Sequence, residues 1–300
     1  MSMQQNGMRM SALRKEYKGG IMQKGMIHTV LKGMCVGGTM LVPGVSGGSM
    51  AMILGVYDRL VTSVSSFFKH KKESLIFLGL FSVGGALGMI LFANPLLYLI
   101  EKYPMPMLYF FIGAVAGGIP LMYEKSQVEG ITLKAVFYLV LGVAIVILMT
   151  IFPQSGIQQT EGTKGALILL VAGILAAVAL VLPGISVSFM LLVMGIYETV
   201  VEAIGSLRLS ILIPLGVGVL LGIILTTKFL EMAMNRYPQP TYLMILGFIV
   251  GSVGEIFPGI PTGIEWITCS LMLVAGFGII RLISQSDEEE TVKAFGKNSL

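Results

Sequence analysis

A chain of 300 residues that is 55% hydrophobic and only 12% Asp, Glu, Lys and Arg cannot cover a water-facing surface, because a soluble domain carries about twice that charged share. Its 38 glycines suit helices packed closely in lipid, where no hydrophobic drive pulls them together. The net charge of +4 gathers at the ends and in one loop, so it bears on membrane orientation and not on nucleic-acid binding.

Residues 1–25 carry Arg9, Arg14, Lys15, Lys18 and Lys24 ahead of any apolar run. They read as a basic cytoplasmic segment, not as a cleavable secretory signal. Residues 26–42 and 48–67 form two apolar arms around Pro43-Gly44. Spans follow over 75–99, 107–123 and 131–152. A second pair of arms, 165–182 and 186–203, surrounds Pro183-Gly184, and three more spans cover 209–232, 241–256 and 264–283. The expected fold is therefore an all-α polytopic membrane protein. Its first repeat covers 26–152 with a hairpin at 26–67, and its second covers 165–283 with a hairpin at 165–203. The tail, 284–300, holds Asp287-Glu288-Glu289-Glu290 and is expected to be a solvated cytoplasmic end with no fold of its own.

Each Pro-Gly is flanked by apolar sequence with almost no polar loop. Proline ends the first arm and the glycine permits the turn. Such a turn is expected at membrane depth, as a re-entrant helical hairpin. With the N-terminus in the cytoplasm, this path puts Lys69-His70-Lys71-Lys72, Lys125, Arg236 and Arg281 inside, and only Lys102, Lys164 and Arg208 outside. Both termini are then cytoplasmic, in a bacterial-type inner membrane.

The strongest signal is self-similarity. Residues 43–58 read PGVSGGSMAMILGVYD and residues 183–198 read PGISVSFMLLVMGIYE, with six identities at a constant offset of 140. Tyr103-Pro104-Met105-Pro106 matches Tyr237-Pro238-Gln239-Pro240 at an offset of 134, as Gly88, Gly113 and Gly117 match Gly222, Gly247 and Gly251. A hairpin adds an even number of crossings and three spans make each half odd. The two repeats are therefore expected to be inverted, the arrangement used for alternating access around a midplane site.

After each turn a helix is expected to start, with unpaired backbone N–H groups. Gly44, Ser46, Gly47, Gly48 and Ser49 in one turn, and Gly184, Ser186 and Ser188 in the other, could together hold an anion such as a phosphate. Tyr57, Asp58 and Arg59, like Tyr197 and Glu198, lie about 12 residues past each turn, or roughly 18 Å along a continuous helix. That spacing puts them at the hairpin mouths, where Tyr57, Asp58, Tyr197 and Glu198 are candidates for coupling or gating. Arg59, replaced by Thr199 in the second half, could receive a phosphate or snorkel to the interface beside Asp58 or a lipid. Cys35 and Cys269 sit in apolar surroundings and read as packing residues. No Cys or acidic residue stands at metal-ligand spacing from His28 or His70, so neither a metal nor a cofactor is expected.

Pro43-Gly44-Val45-Ser46-Gly47-Gly48-Ser49, followed by Leu54-Gly55-Val56-Tyr57-Asp58-Arg59-Leu60, resembles the signature of the polyprenyl-phosphate transporters of the PopT type, and the resemblance spans roughly residues 26–283. It implies a transporter, not an enzyme, that returns undecaprenyl phosphate from the outer to the inner leaflet and so recycles the lipid carrier of envelope polymers such as peptidoglycan. It also implies two central Pro-Gly-x-Ser turns, a basic position matched by Arg59, membrane lipids as surroundings, and a coupling proton or sodium ion. The second turn departs from the pattern, with Val187 where the first has Gly47.

Two rival readings share parts of this pattern. Membrane undecaprenyl-diphosphatases resemble it but carry Pro-Gly-x-Ser-Arg-Ser turns. Here Ser46-Gly47 and Ser186-Val187 lack that arginine, and no glutamate cluster stands in either first arm. Phosphoryl transfer would then lose most of its electrostatic stabilisation. A carrier of small soluble anions would share the turns without needing access from the lipid.

Overall fold

A computed structural model describes residues 25–42, 45–128, 130, 132–151 and 162–296, and only the backbone at 150–151, 162–163 and 285–296. The basic N-terminal cluster, Pro43, Gly44 and the first and last residues of the expected 131–152 span lie outside these. The described residues form helices and no strands. In chain order they are α1 (25–39), α2 (Gly47–Ile53), α3 (Tyr57–Ser65), α4 (Lys71–Lys102), α5 (Pro104–Lys125) and α6 (Leu133–Ile151). The second half supplies α7 (Gly162–Val181), α8 (Val187–Val193), α9 (Tyr197–Gly205), α10 (Leu209–Arg236), α11 (Pro238–Ile256) and α12 (Glu265–Gly296).

Six helices are long and apolar enough to cross a membrane: α4, α5, α7, α10, α11 and α12. The chain is thus a multi-pass membrane protein. This set differs from the expected spans in one exchange. The arm α7 reaches spanning length, whereas the apolar stretch Leu133–Met149 of α6 falls just short.

The returning arm of each hairpin is not one helix, contrary to the expected arms 48–67 and 186–203. It breaks at Gly55 and at Gly195, both at φ +70°, the left-handed region that glycine enters without Cβ strain. At the first break Gly55 N–H donates to Met52 O and Val56 N–H to Ala51 O; at the second, Gly195 N–H donates to Leu192 O and Ile196 N–H to Leu191 O. These paired bonds are a Schellman ending, which closes one helix before the next begins. The bend between α8 and α9 is 117°. The expectation that the Gly-x-Tyr-acid segments stand roughly 18 Å along a straight helix fails for this reason, because each helix ends at its glycine and a new one begins.

The tail also departs from expectation, since α12 continues to Gly296. Its sequence contains good helix formers, with Glu289 four residues before Lys293, a spacing that supports a helix in water.

The long helices pair through glycine, and the pairs repeat. Gly113 of α5 lies against the Leu273 carbonyl of α12, and Gly276 of α12 against the Phe110 carbonyl of α5. Gly247 of α11 lies against the Leu139 carbonyl of α6, and Gly142 of α6 against the Met244 carbonyl of α11. All four residues of one set map onto the other at a separation of 134. A Cβ at any of these glycines would collide with backbone, so only glycine allows so close an approach. The arms behave alike: Gly33 and Gly84 join α1 to α4, as Gly173 and Gly218 join α7 to α10. The tight junctions agree too. Tyr103 (φ −133°, ψ 59°) and Tyr237 (φ −135°, ψ 62°) each precede a proline at the first position of a helix. Each half therefore sends the second long helix after its hairpin, α5 or α11, to pack along the last helix of the other half.

Candidate functional site

The start of α2 meets the second Pro-Gly turn. Ser49 Oγ accepts a hydrogen bond from Gly184 N–H at 2.8 Å, across 135 residues of chain. Gly48 faces Pro183 so closely that a Cβ there would lie 3.3 Å from the proline Cα. Tyr57 Oη donates to Val181 O at 2.6 Å, which satisfies a carbonyl at the open end of α7. Tyr57 reaches it because the break at Gly55 swings α3 back. Pro183, Gly184 and Ile185 are buried, and Gly184, at φ +83°, presses on the backbone of Phe248 in α11.

Other candidates gather at the same place with different exposures. Ser46, Gly47, Gly48 and Ser186 are half-buried, Ser49 is buried and Ser188 is exposed. Ser186 caps α8, accepting from Phe189 N–H at 3.4 Å, whereas Ser46 makes no side-chain cap for α2. The Met40 side chain covers Gly47. Both α2 and α8 are only seven residues long. Their summed dipoles are short, so capacity to hold an anion rests on hydroxyls and on the first N–H groups of these turns.

The mouth residues do not share a single cluster. Asp58 Oδ2 pairs with Lys125 Nζ at 2.6 Å, while its Oδ1 is buried and finds no partner among the described residues. Arg59 does not pair with Asp58; its guanidinium lies over the Phe77 ring, 4.2 Å from the centroid. That cation–π contact leaves the exposed Arg59 at the surface of the first hairpin. Glu231 of α10 accepts from Ser65 at 2.5 Å and from Ser66 at 3.4 Å, tying the end of α3 to the second half. Tyr197 and Glu198 are exposed, and Glu202 is held by Arg208 at 2.7 Å on the surface.

The hairpins are therefore alike in sequence and unequal in packing. Met50 to Leu54 are at most 4% exposed, sharing a core with Ala114, Val115 and Met122 of α5 in their own half and with Leu230 and Met234 of α10 and Tyr242, Ile245, Leu246 and Ile249 of α11 in the other. In the second hairpin Leu191 packs mainly on Ala172, Ala176 and Leu215, from its own half. Lys125, Glu231 and the Val181 carbonyl are partners of the hairpin residues that sequence reading did not single out. Among the described residues, no group of three His, Cys, Asp or Glu side chains could hold a metal ion.

A multi-pass membrane protein with two like halves and paired polar turns between its helices has the build of a membrane transporter. Residues 36–271 match the family described as VCA0040-like, undecaprenyl phosphate translocase-like. The chain is 35% identical over 261 residues to a polyprenyl-phosphate transporter of Staphylococcus aureus (strain NCTC 8325 / PS 47), covering 83% of this chain and 92% of that protein. It is 28% identical over 249 residues to a polyprenyl-phosphate transporter of Vibrio cholerae serotype O1 (strain ATCC 39315 / El Tor Inaba N16961), covering 77% of this chain and 78% of that protein. The chain belongs to the undecaprenyl phosphate translocase-like family. Both relatives are named as transporters, in keeping with turns that lack the Ser-Arg clamp of the diphosphatases. No solved structure shows a significant match.

Proposed function

We propose that this protein carries undecaprenyl phosphate from the outer to the inner leaflet of the bacterial cytoplasmic membrane, returning the lipid carrier to envelope synthesis. The observation that carries this reading is the contact between the two turns through Ser49 and Gly184. A negative head group crossing hydrocarbon needs polar partners at depth, because an unpaired charge there costs many kcal/mol. Gly44, Ser46, Gly47, Gly48 and Ser49 from one half, with Gly184, Ser186 and Ser188 from the other, would supply them. In the arrangement described above, the Gly184 N–H is already used by Ser49, so the head group would draw first on Ser46, Gly47, Gly48 and Ser186.

The two repeats would be inverted, with the first turn entering from the cytoplasm and the second from outside. The reciprocal glycine pairs support an internal two-fold relation, and the basic loop Lys69 to Lys72 supports cytoplasmic termini. Alternating access would then expose the shared site to each leaflet in turn. Arg59, resting on Phe77 at the mouth, would attract the phosphate before it enters. Tyr57, Asp58, Tyr197 and Glu198 would gate the two mouths. The Asp58–Lys125 pair, with one carboxylate oxygen unpartnered, is the group best placed to respond to a coupling proton or sodium ion.

The test is reconstitution in liposomes with labelled undecaprenyl phosphate and a leaflet-specific probe. Movement of the lipid, blocked by unlabelled undecaprenyl phosphate and not by inorganic phosphate, is the expected result. Competition by inorganic phosphate alone would favour a small-anion carrier, and phosphate release from undecaprenyl diphosphate would favour an enzyme.

A further inference from the structure

Among the described residues, the bonds that join the two turns use side chains of the first hairpin. Ser49 Oγ takes the Gly184 N–H and Tyr57 Oη takes the Val181 carbonyl, so two side chains hold the backbone on both sides of Pro183. The repeat offset of 140 says what the reverse contacts would be: Phe189 stands for Ser49, and Tyr197 would have to reach the carbonyl of Leu41. Phenylalanine cannot accept an N–H. Tyr197 is 37% exposed, against 3% for Tyr57, and its hydroxyl makes no hydrogen bond among the described residues. The apolar packing differs as well: α2 is buried between α5 of its own half and α10 and α11 of the other, whereas α8 rests on its own half.

We propose that Ser49 and Tyr57 are positioning residues that latch the second turn, so that the second hairpin is the one released when the molecule changes state, while the first hairpin stays docked as its seat. The proposal rests on the transporter reading, but its geometry is independent of the substrate. Leaving the latch frees the Gly184 N–H and the Val181 carbonyl together. The amide becomes available to an anion in that released state only, so binding a head group and opening the second hairpin favour each other. The sequence difference between Ser49 and Phe189 makes the device one-sided in spite of the repeat.

Hydrogen exchange on the full chain in nanodiscs tests this without any lipid substrate. A net hydrogen bond is worth about 1 kcal/mol, so Ser49→Ala or Tyr57→Phe is expected to speed exchange over residues 183–190 roughly fivefold. Exchange over 108–118, where α5 is locked to α12, is expected to stay unchanged, and Tyr197→Phe to resemble the wild type throughout. Ser49→Thr keeps the acceptor and is expected to restore protection. Equal acceleration in both segments would mean general loosening and would overturn the latch, as would unchanged exchange at 183–190 or an effect of Tyr197→Phe as large as that of Tyr57→Phe. Should the variants not fold, the wild type decides: residues 183–186 must exchange far more slowly than the loop 258–263, and equal rates overturn the proposal. Failure of lipid transport with an intact latch would instead count against the substrate reading alone.

Discussion

Asp58 and Lys125, 67 residues apart in sequence, are joined at 2.6 Å between the first hairpin and the end of α5. Both side chains are partly shielded, at 36% and 23% exposure, so their attraction is screened less than that of a surface pair. Removing one partner leaves the other charge poorly solvated. Lys125→Met is expected to lower stability by about 1–3 kcal/mol, and Asp58→Asn combined with Lys125→Met to recover part of that loss. Thermal unfolding of the four proteins in detergent checks the sign of the coupling; additive losses would mean that the pair contributes nothing.

Glycine contacts make a sharper stability prediction. Gly113→Ala puts a Cβ into the Leu273 carbonyl, and the fixed backbone of α12 cannot yield. A loss of about 1–3 kcal/mol or more is expected. Gly79→Ala, in open space on α4, is expected to be neutral or to gain about 0.5–1 kcal/mol from helix propensity. Melting temperatures of the two variants should move in opposite directions.

The break in each hairpin depends on a left-handed residue. Gly55→Ala and Gly195→Ala, both at φ +70°, are each expected to cost about 1–2 kcal/mol. The first should also reduce lipid translocation more than the second, because Tyr57 needs the bend to reach Val181 and Tyr197 has no such bond. Comparing translocation rates at matched protein density measures this difference.

Ser46→Ala, Ser186→Ala and Arg59→Gln are expected to cut translocation several-fold while leaving the melting temperature within a few degrees, since none sits in a packed core. Phe77→Leu tests the role of the Arg59 perch separately: it removes the cation–π contact, worth about 0.5–1 kcal/mol at an exposed site, and keeps the charge. Rates for Arg59→Lys between those of the wild type and Arg59→Gln would tie the effect to charge.

Much of this architecture is written locally. Pro183-Gly184 and its first-half copy mark the turns, Tyr103-Pro104 and Tyr237-Pro238 mark the junctions, and the glycine spacing marks which faces pack closely. The hairpin break was legible in principle, since Gly55-Val56 and Gly195-Ile196 have the glycine-then-apolar pattern of a Schellman ending. A straight helix was expected because the apolar run continues across the glycine. The partners of the site were not legible. Asp58 to Lys125, Tyr57 to Val181 and Ser65 to Glu231 are contacts between distant segments, set by how the halves interlock, and no periodicity in either segment encodes them. The repeat shows its asymmetry at Ser49 against Phe189 but not at the matching tyrosines 57 and 197, which differ only in what surrounds them.

The central claim is that two turns from opposite faces share one polar site. Single cysteines at Ser46 and Ser186, with Cys35→Ala and Cys269→Ala removing the native thiols, can be labelled from each side of oriented vesicles with a membrane-impermeant reagent. The account predicts that Ser46→Cys reacts from the side of the Lys69 to Lys72 loop and Ser186→Cys from the other, each protected by undecaprenyl phosphate. Reaction of both from one side, with no protection by the lipid, would contradict it.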